Sequence, residues 1–235
     1  MSGRRPKPTL PPGQLTVVWQ SVSLLLDYPD QDLVARAELI RSASQTLPAT
    51  IGDSVRSFID HLDSTPLPEL QAHYVETFDT RRRCNLFLTY FAHGDTRKRG
   101  MALLRFKQTY LASGFELDVA ELPDHLCVVL EYAATVDQER GRRLLLDHRA
   151  GLELLRLSLT QRRSRWAGAV AGVCATLPLL RGDETDAVRR LAAEGPPEEE
   201  VGLTPYVIPD FEESPSSHPA SPVSLPQPSF PGVRS

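Results

Sequence analysis

Apolar residues recur at helical spacing through most of the chain, and this periodicity constrains the fold more than any other feature of the sequence. Side chains three or four positions apart share one face of an α-helix, so each such stripe predicts an amphipathic helix. The predicted segments are 15–26, 33–47, 51–62, 67–78, 86–91, 95–113, 123–136, 145–159, 166–177 and 183–191. No convincing run of alternating apolar residues occurs, so we expect little β-structure. Nine or ten helices over residues 14–194 predict one compact all-α domain.

Specific residues predict where some of these helices begin and end. Pro29 and Pro48 stop the first two stripes. Asp95 suits the N-cap of the sixth helix, and Gly114 can end it. Pro123 suits the first turn of the seventh helix.

Proline and charge are concentrated at the two ends of the chain. Of the 20 prolines, ten lie in residues 195–235 and four in residues 1–13. Residues 195–235 also hold six acids and one base, so the formal net charge of -4 comes from this tail, and residues 1–194 carry a net charge of +1. We therefore expect a flexible arm (1–13), a helical domain (14–194) and a disordered acidic tail (195–235). The near-neutral body argues against a general nucleic-acid binder.

Cysteine usage and hydropathy predict a cytoplasmic chain without stable membrane insertion. The three cysteines are far apart and form no CxxC pair, which excludes a disulfide scaffold or a cysteine zinc finger and fits a reducing compartment. No secretory signal is recognisable. The longest weakly polar run, 167–180, has 14 residues and contains Pro178, whereas a bilayer-spanning helix needs about 20 residues.

No catalytic or metal-binding motif is present. Phosphate-binding loops, dinucleotide fingerprints and paired metal-ligand motifs are all missing from the sequence. Glu121 and His125 are four residues apart, but Pro123 lies between them, so a hydrogen bond at a helix start is favoured over a metal site. The sequence therefore predicts a protein that is not an enzyme and has no metal ligands.

Three segments carry unusual local chemistry. In 93–100, three bases (Arg97, Lys98, Arg99) fall in the first turn of a helix, where the helix dipole disfavours positive charge. This indicates either a functional site or a solvated basic turn paired with acids such as Glu76 and Asp79.

The other two segments are 74–79 and 121–131. The acids of 121–126, taken alone, are ordinary helix-start chemistry. Together the three segments offer bases, acids and the aromatics Tyr74, Phe78, Tyr90 and Phe91, a mixture that suits a peptide groove.

These segments resemble one known family. Tyr-Val-Glu-Thr-Phe-Asp at 74–79, His-Gly-Asp-Thr-Arg-Lys-Arg-Gly at 93–100 and Glu-Leu-Pro-Asp-His-Leu at 121–126 are similar to motifs of the NarJ-type nitrate reductase assembly chaperones, within the TorD-like redox-enzyme maturation proteins. Leu-Leu-Leu-Asp-Tyr-Pro at 24–29 also fits the start of that family. The likeness spans roughly residues 15–180, and the one visible departure is Cys127, where the family commonly has proline.

The resemblance implies a helical chaperone without catalytic activity. Such a protein binds the apo catalytic subunit of respiratory nitrate reductase, including its N-terminal peptide, and holds it in the cytoplasm until the molybdenum bis-guanine-dinucleotide cofactor is inserted. It also times attachment to the membrane anchor and binds no cofactor tightly itself. The client-binding residues it implies are Tyr74, Glu76, Phe78, Asp79, His93, Gly94, Asp95, Arg97, Arg99, Gly100, Glu121, Leu122, Pro123, Asp124, His125 and Glu131.

We hypothesise that a client peptide lays its apolar face into a groove lined by the aromatics. Carboxylates such as Asp79, Asp124 and Glu131 would meet its charged residues, and the Arg97–Arg99 turn would meet acids of the client or a phosphate of the cofactor. Three alternatives remain: another molybdoenzyme client, a helical nucleic-acid-binding regulator suggested by the bases at 81–83 and 97–99, and a metal- or cofactor-dependent helical enzyme, which the missing ligand pairs disfavour. In the tail, 198–206 is either a docking motif or a solubilising segment, and the second is favoured.

Overall fold

The computed structural model describes residues 10–118 and 121–195, and these are helical almost throughout. The helices there are α1 (Pro12–Leu25), α2 (Gln31–Ser44), α3 (Ala49–Ser64), α4 (Leu67–Tyr74), α5 (Leu88–His93), α6 (Arg97–Leu111), α7 (Leu126–Thr135), α8 (Gln138–Asp147), α9 (Arg149–Gln161), α10 (Ala167–Thr176) and α11 (Gly182–Glu194). The predicted all-α class is confirmed. Within the described ranges the only β-type pairing is an isolated antiparallel bridge between Phe87 and His125. Most of the expected arm and all of the expected tail except Gly195 lie outside these ranges.

Helix α1 lies at the centre of the packing, against both α7 and α10. Its Trp19 is fully buried, and the indole Nε1–H donates to Thr176 Oγ1 at 3.0 Å. Trp166, just before α10, is also buried, and its Nε1–H donates to the Leu25 carbonyl at 2.9 Å. Buried indole groups are stable only when the N–H finds an acceptor, so these bonds tie α1 to the C-terminal helices.

Two of the predicted helices are interrupted. The stripe over 67–78 is an α-helix only to Tyr74, and a π-helical turn covers Val75–Asp79. The stripe over 145–159 is broken at His148, whose backbone leaves the helical region between α8 and α9. At the break, the His148 ring packs against the buried Phe106 ring, with centroids 5.1 Å apart.

Two predicted helix starts are wrong. Thr96, and not Asp95, is the N-cap of α6, and the Asp95 carboxylate instead lies 3.4 Å from the Arg99 guanidinium. Helix α7 begins at Leu126, and Pro123 lies in a turn before it. The turn persists because the backbone on both sides of His125 is already bonded to residues 86–88: Leu126 N donates to Leu86 O at 2.8 Å, and Leu88 N donates to Asp124 O at 3.0 Å.

Of the described helices, none combines the length and the apolar character that crossing a bilayer requires.

Candidate functional site

The second and third motifs meet at Asp124, which is completely buried. Its carboxylate accepts hydrogen bonds from the Thr89 backbone amide at 3.1 Å and from the Thr89 hydroxyl. Thr89 is the second residue of α5, and the first amide groups of a helix have no partner within the helix. Asp124 therefore caps α5 from a position 35 residues away in the chain.

Arg99 completes this buried group. Its Nε donates to Thr89 Oγ1 at 3.2 Å, and its Nη2 lies 3.6 Å from the Asp124 carboxylate. The guanidinium carbon also lies 5.3 Å from the centroid of the Phe87 ring, within cation–π range. Arg99 and Asp124 thus connect α6 to the turn before α7. Contrary to the expectation that Asp124 meets a client charge, its carboxylate is buried, and its Oδ2 atom faces Thr89 of α5 and Arg99 of α6.

The Phe87–His125 bridge lies next to this pair. The two rings pack edge to face with centroids 5.1 Å apart. Burial lowers the pKa of His125, although the nearby carboxylates of Asp27 and Asp124 act in the opposite direction. A neutral imidazole is therefore the favoured form at neutral pH.

Beside His125 a cleft of about 330 Å³ opens between α1 and α7. We call it the acidic cleft; its lining residues are Ser23, Leu24, Asp27, Phe87, Glu121, Leu122, His125, Cys127, Val128 and Glu131. Ser23 Oγ donates to the Cys127 carbonyl at 2.8 Å and holds the two helices together at its base. Leu122 is 42% exposed, so apolar surface is accessible at this cleft.

Three exposed carboxylates surround that apolar surface: Asp27, Glu121 and Glu131. The pKa of Glu121 is raised, first by partial burial and then by the negative charges of Glu131, Asp118 and Asp27. A bound cation would relieve the repulsion between Glu121 and these neighbouring negative charges. The cleft is therefore suited to an apolar side chain accompanied by a positive charge.

The four aromatics of the hypothesis from the sequence lie in the core and do not line a common groove, although Phe91 also borders a cleft of about 710 Å³ beside α9 and α11. Tyr74, Phe78, Tyr90 and Phe91 are each at most 6% exposed. Tyr74 and Phe78 pack against Trp166, and the Tyr74 hydroxyl donates to the Leu26 carbonyl at 3.0 Å. These residues belong to the core, Tyr74 from α4, Phe78 from the π-helical turn, and Tyr90 and Phe91 from α5.

The remaining motif residues are exposed on the surface or stabilise the backbone conformation. Glu76 and Asp79 are exposed, and Glu76 lies 3.6 Å from Arg81. Gly94 ends α5 with φ 56° and ψ -149°, a conformation that essentially only glycine adopts. The Pro123 carbonyl accepts a hydrogen bond from the Tyr110 hydroxyl at 2.6 Å.

The other second-motif residues, His93, Arg97 and Gly100, lie around α6. His93 is half-buried at the end of α5, and Arg97 and Gly100 are exposed on α6. A β-carbon at Gly100 would meet nothing within 4 Å, so no other element of the described residues approaches it closely.

Of the predicted site residues, the structure gathers four at the acidic cleft, namely Glu121, Leu122, His125 and Glu131. Reasoning from the sequence missed Asp27 and Phe87 as cleft residues. The sequence did point to Asp27, since residues 24–29 resemble the opening motif of the family. No local pattern distinguished Phe87. Within residues 10–118 and 121–195, no group of three or more His, Cys, Asp or Glu side chains is placed to hold a metal ion.

Sequence comparisons place these motifs in a family. The family model described as nitrate reductase delta subunit matches residues 44–172. The nitrate reductase-like protein NarX of Mycobacterium tuberculosis is 41% identical over 165 residues, which cover 68% of this chain and 24% of NarX. This chain thus corresponds to about a quarter of the length of NarX.

The match covers a larger share of two NarJ proteins than of NarX. NarJ of Bacillus subtilis is 36% identical over 156 residues, which cover 64% of this chain and 83% of that protein. The nitrate reductase molybdenum cofactor assembly chaperone NarJ of Escherichia coli is 37% identical over 149 residues, which cover 62% of this chain and 63% of that protein.

A solved structure shares the fold. The crystal structure of a candidate redox enzyme maturation protein from Archaeoglobus fulgidus superposes with a TM-score of 0.50 at 20% identity, covering 73% of this chain and 96% of the other. The helical architecture and the motif order thus agree with the match of the family model over more than half of the chain. The resemblance to NarJ-type proteins is confirmed, and the chain belongs to the nitrate reductase delta subunit family.

Proposed function

We propose that this protein is a cytoplasmic assembly chaperone, not an enzyme, that binds the apo catalytic subunit of a respiratory nitrate reductase. It holds that subunit for insertion of the molybdenum bis-guanine-dinucleotide cofactor and for assembly with the membrane anchor, and it binds no cofactor tightly itself. Membership of the family and the NarJ relatives support this role.

The observation that carries the proposal is the acidic cleft. Exposed Leu122 lines the same cleft as the carboxylates of Asp27, Glu121 and Glu131, and among the described residues no lysine or arginine lines it. A peptide that places an apolar side chain against Leu122 and a lysine or arginine near Glu121 would satisfy both features. We assign this role to the N-terminal peptide of the catalytic subunit.

The test is calorimetric titration of the full chain with a synthetic peptide copying the N-terminus of the same organism's nitrate reductase catalytic subunit. We expect saturable one-to-one binding that the charge reversal Glu121→Lys weakens by about tenfold, since losing one favourable charge contact costs roughly 1–2 kcal/mol. Glu139→Lys on α8 is the matched control, because Glu139 is exposed and does not line the cleft.

Each contrary outcome has a specific meaning. Equal affinities for the wild type and Glu121→Lys would remove the acidic cleft from client binding. No binding of this peptide, together with binding of the corresponding peptide from another molybdoenzyme, would establish the alternative client.

A further inference from the structure

A second cleft, of about 450 Å³, is lined by four arginines. Arg81 follows the π-helical turn, and Arg162, Arg163 and Arg165 lie in the loop between α9 and α10. In the sequence, Arg81 belongs to the basic run 81–83. No local pattern relates it to the three arginines of the α9–α10 loop, which lie 81 to 84 positions further along the chain. We call this the arginine cleft.

Three of these arginines have no acidic partner. Many arginines in the described part of the fold lie against carboxylates, as Arg41 does against Asp60 and Arg156 against Glu153, although isolated surface arginines such as Arg105 do not. Within the described residues, Arg162, Arg163 and Arg165 have no carboxylate at ion-pair distance, and Arg162 interacts with the Cys84 thiol. Uncompensated guanidinium groups around one concavity repel each other and favour an anion between them.

The loop that carries them is well fixed. The Arg163 amide donates to Thr160 O at 3.0 Å, and the Ser164 amide donates to Leu159 O at 3.0 Å. Trp166, two residues after Ser164, is anchored in the core by the hydrogen bond from its indole N–H to the Leu25 carbonyl. Arg163 itself has φ 54°, the one positive φ of a non-glycine residue in the described ranges. Because the loop backbone is already ordered, less conformational entropy is lost when a ligand binds its guanidinium groups.

The charges inside the arginine cleft also favour a bound anion. His61 also lines it, and the His61 Nε2 atom is buried with no hydrogen-bond partner. Burial lowers the pKa of His61, and the positive charges of Arg165 and His73 lower it further, against an opposing effect of Glu69. Glu69 and Glu76 are the acids in the lining, so four guanidinium groups outnumber two carboxylates.

We propose that the arginine cleft binds a small molecule that carries a diphosphate group. Guanidinium groups bind phosphate oxygens through paired hydrogen bonds. Three guanidinium groups that each donate a pair of hydrogen bonds present six donors, whereas one phosphate monoester offers three acceptor oxygens, so two linked phosphates match them better. The site is separate from the acidic cleft and does not depend on client binding.

The test is calorimetric titration of the full chain, at low ionic strength, with inorganic pyrophosphate, ADP and inorganic phosphate in separate experiments. We expect pyrophosphate to bind at one saturable site. ADP should bind with at least the same affinity, and inorganic phosphate with a lower one. The triple variant R162Q/R163Q/R165Q should weaken pyrophosphate binding by about tenfold or more, since charge-assisted bonds to phosphate are lost. The single variant R165Q should show a smaller loss in the same direction.

The control variant K98Q/R105Q/K107Q removes three exposed charges from α6, outside the arginine cleft, and should leave pyrophosphate affinity unchanged. An equal loss in both triple variants, or no saturable binding by the wild type, would overturn the proposal. Binding of a short DNA duplex without binding of pyrophosphate would also overturn it and would assign the arginines to nucleic acid. Retained client-peptide binding by R162Q/R163Q/R165Q would show that any loss is local to the arginine cleft.

Discussion

Gly141 of α8 lies directly against Ala133 of α7. A β-carbon added at Gly141 would come within 2.5 Å of the Ala133 Cα atom and within 3.0 Å of its backbone nitrogen. The contact is with backbone, which cannot move aside as a flexible side chain can. The absence of a side chain at Gly141 therefore sets how closely α7 and α8 approach, and α7 carries one wall of the acidic cleft.

The first prediction follows from that contact. Gly141→Ala should lower the free energy of unfolding by about 2 kcal/mol or more, because overpacking forces the helices apart. Gly100→Ala on α6 is the matched control, because a β-carbon there meets nothing within 4 Å. It should raise the stability by about 0.5–1 kcal/mol through helix propensity. Urea denaturation followed by circular dichroism measures both, and a neutral Gly141→Ala would contradict the close helix contact.

The second prediction concerns Asp124. Asp124→Ala should lower the free energy of unfolding by about 3 kcal/mol, because it removes the cap of α5 and leaves the Arg99 guanidinium without its buried counter-charge. Asp32→Ala removes an exposed pair with Arg36 and should cost less than about 1 kcal/mol. Chemical denaturation of the two variants side by side gives the comparison. Similar costs for both would show that the Asp124 group contributes no more than a surface pair.

The third prediction is a pH dependence. Burial lowers the pKa values of His125 and His148 in the folded protein. Below about pH 6.5 the unfolded chain binds protons that these buried rings do not, so acidification favours unfolding. Stability should be fully present above that pH and fall as the pH is lowered towards 5.

Thermal denaturation at several pH values measures this slope. The double variant H125Q/H148Q should show a shallower fall between pH 7.5 and 5.5, whatever its stability at pH 7.5. An unchanged slope would show that these two histidines are not its source.

The fourth prediction concerns the three cysteines, Cys84, Cys127 and Cys174, all of which are free and buried. Burial raises the pKa of each thiol, that of Cys174 to about 11. The thiolate is the reactive form, so all three should resist Ellman's reagent in the native protein. Titration in guanidinium chloride should then release three equivalents, and rapid reaction of the native chain would contradict the burial.

Local patterns in the sequence determined the helices and the family. A stripe of apolar residues at helical spacing needs no distant partner to be recognised, and the motifs at 74–79, 93–100 and 121–126 are contiguous in the chain. The same local reasoning misplaced the starts of α6 and α7, because Asp95 and Pro123 have good intrinsic propensities for those positions. At Pro123, backbone bonds from residues 86 and 88 overrode that propensity.

Tertiary structure alone decided which side chains are accessible and which meet. It buried Asp124 against Thr89, brought Asp27 of the segment 24–29 into one cleft with Glu121, and placed Arg81 and Arg162, 81 positions apart, around another. Periodicity reports which face of a helix is apolar, but not which other helix covers that face. Contacts between distant residues arise only when the helices pack, and both the acidic cleft and the arginine cleft are built from such contacts.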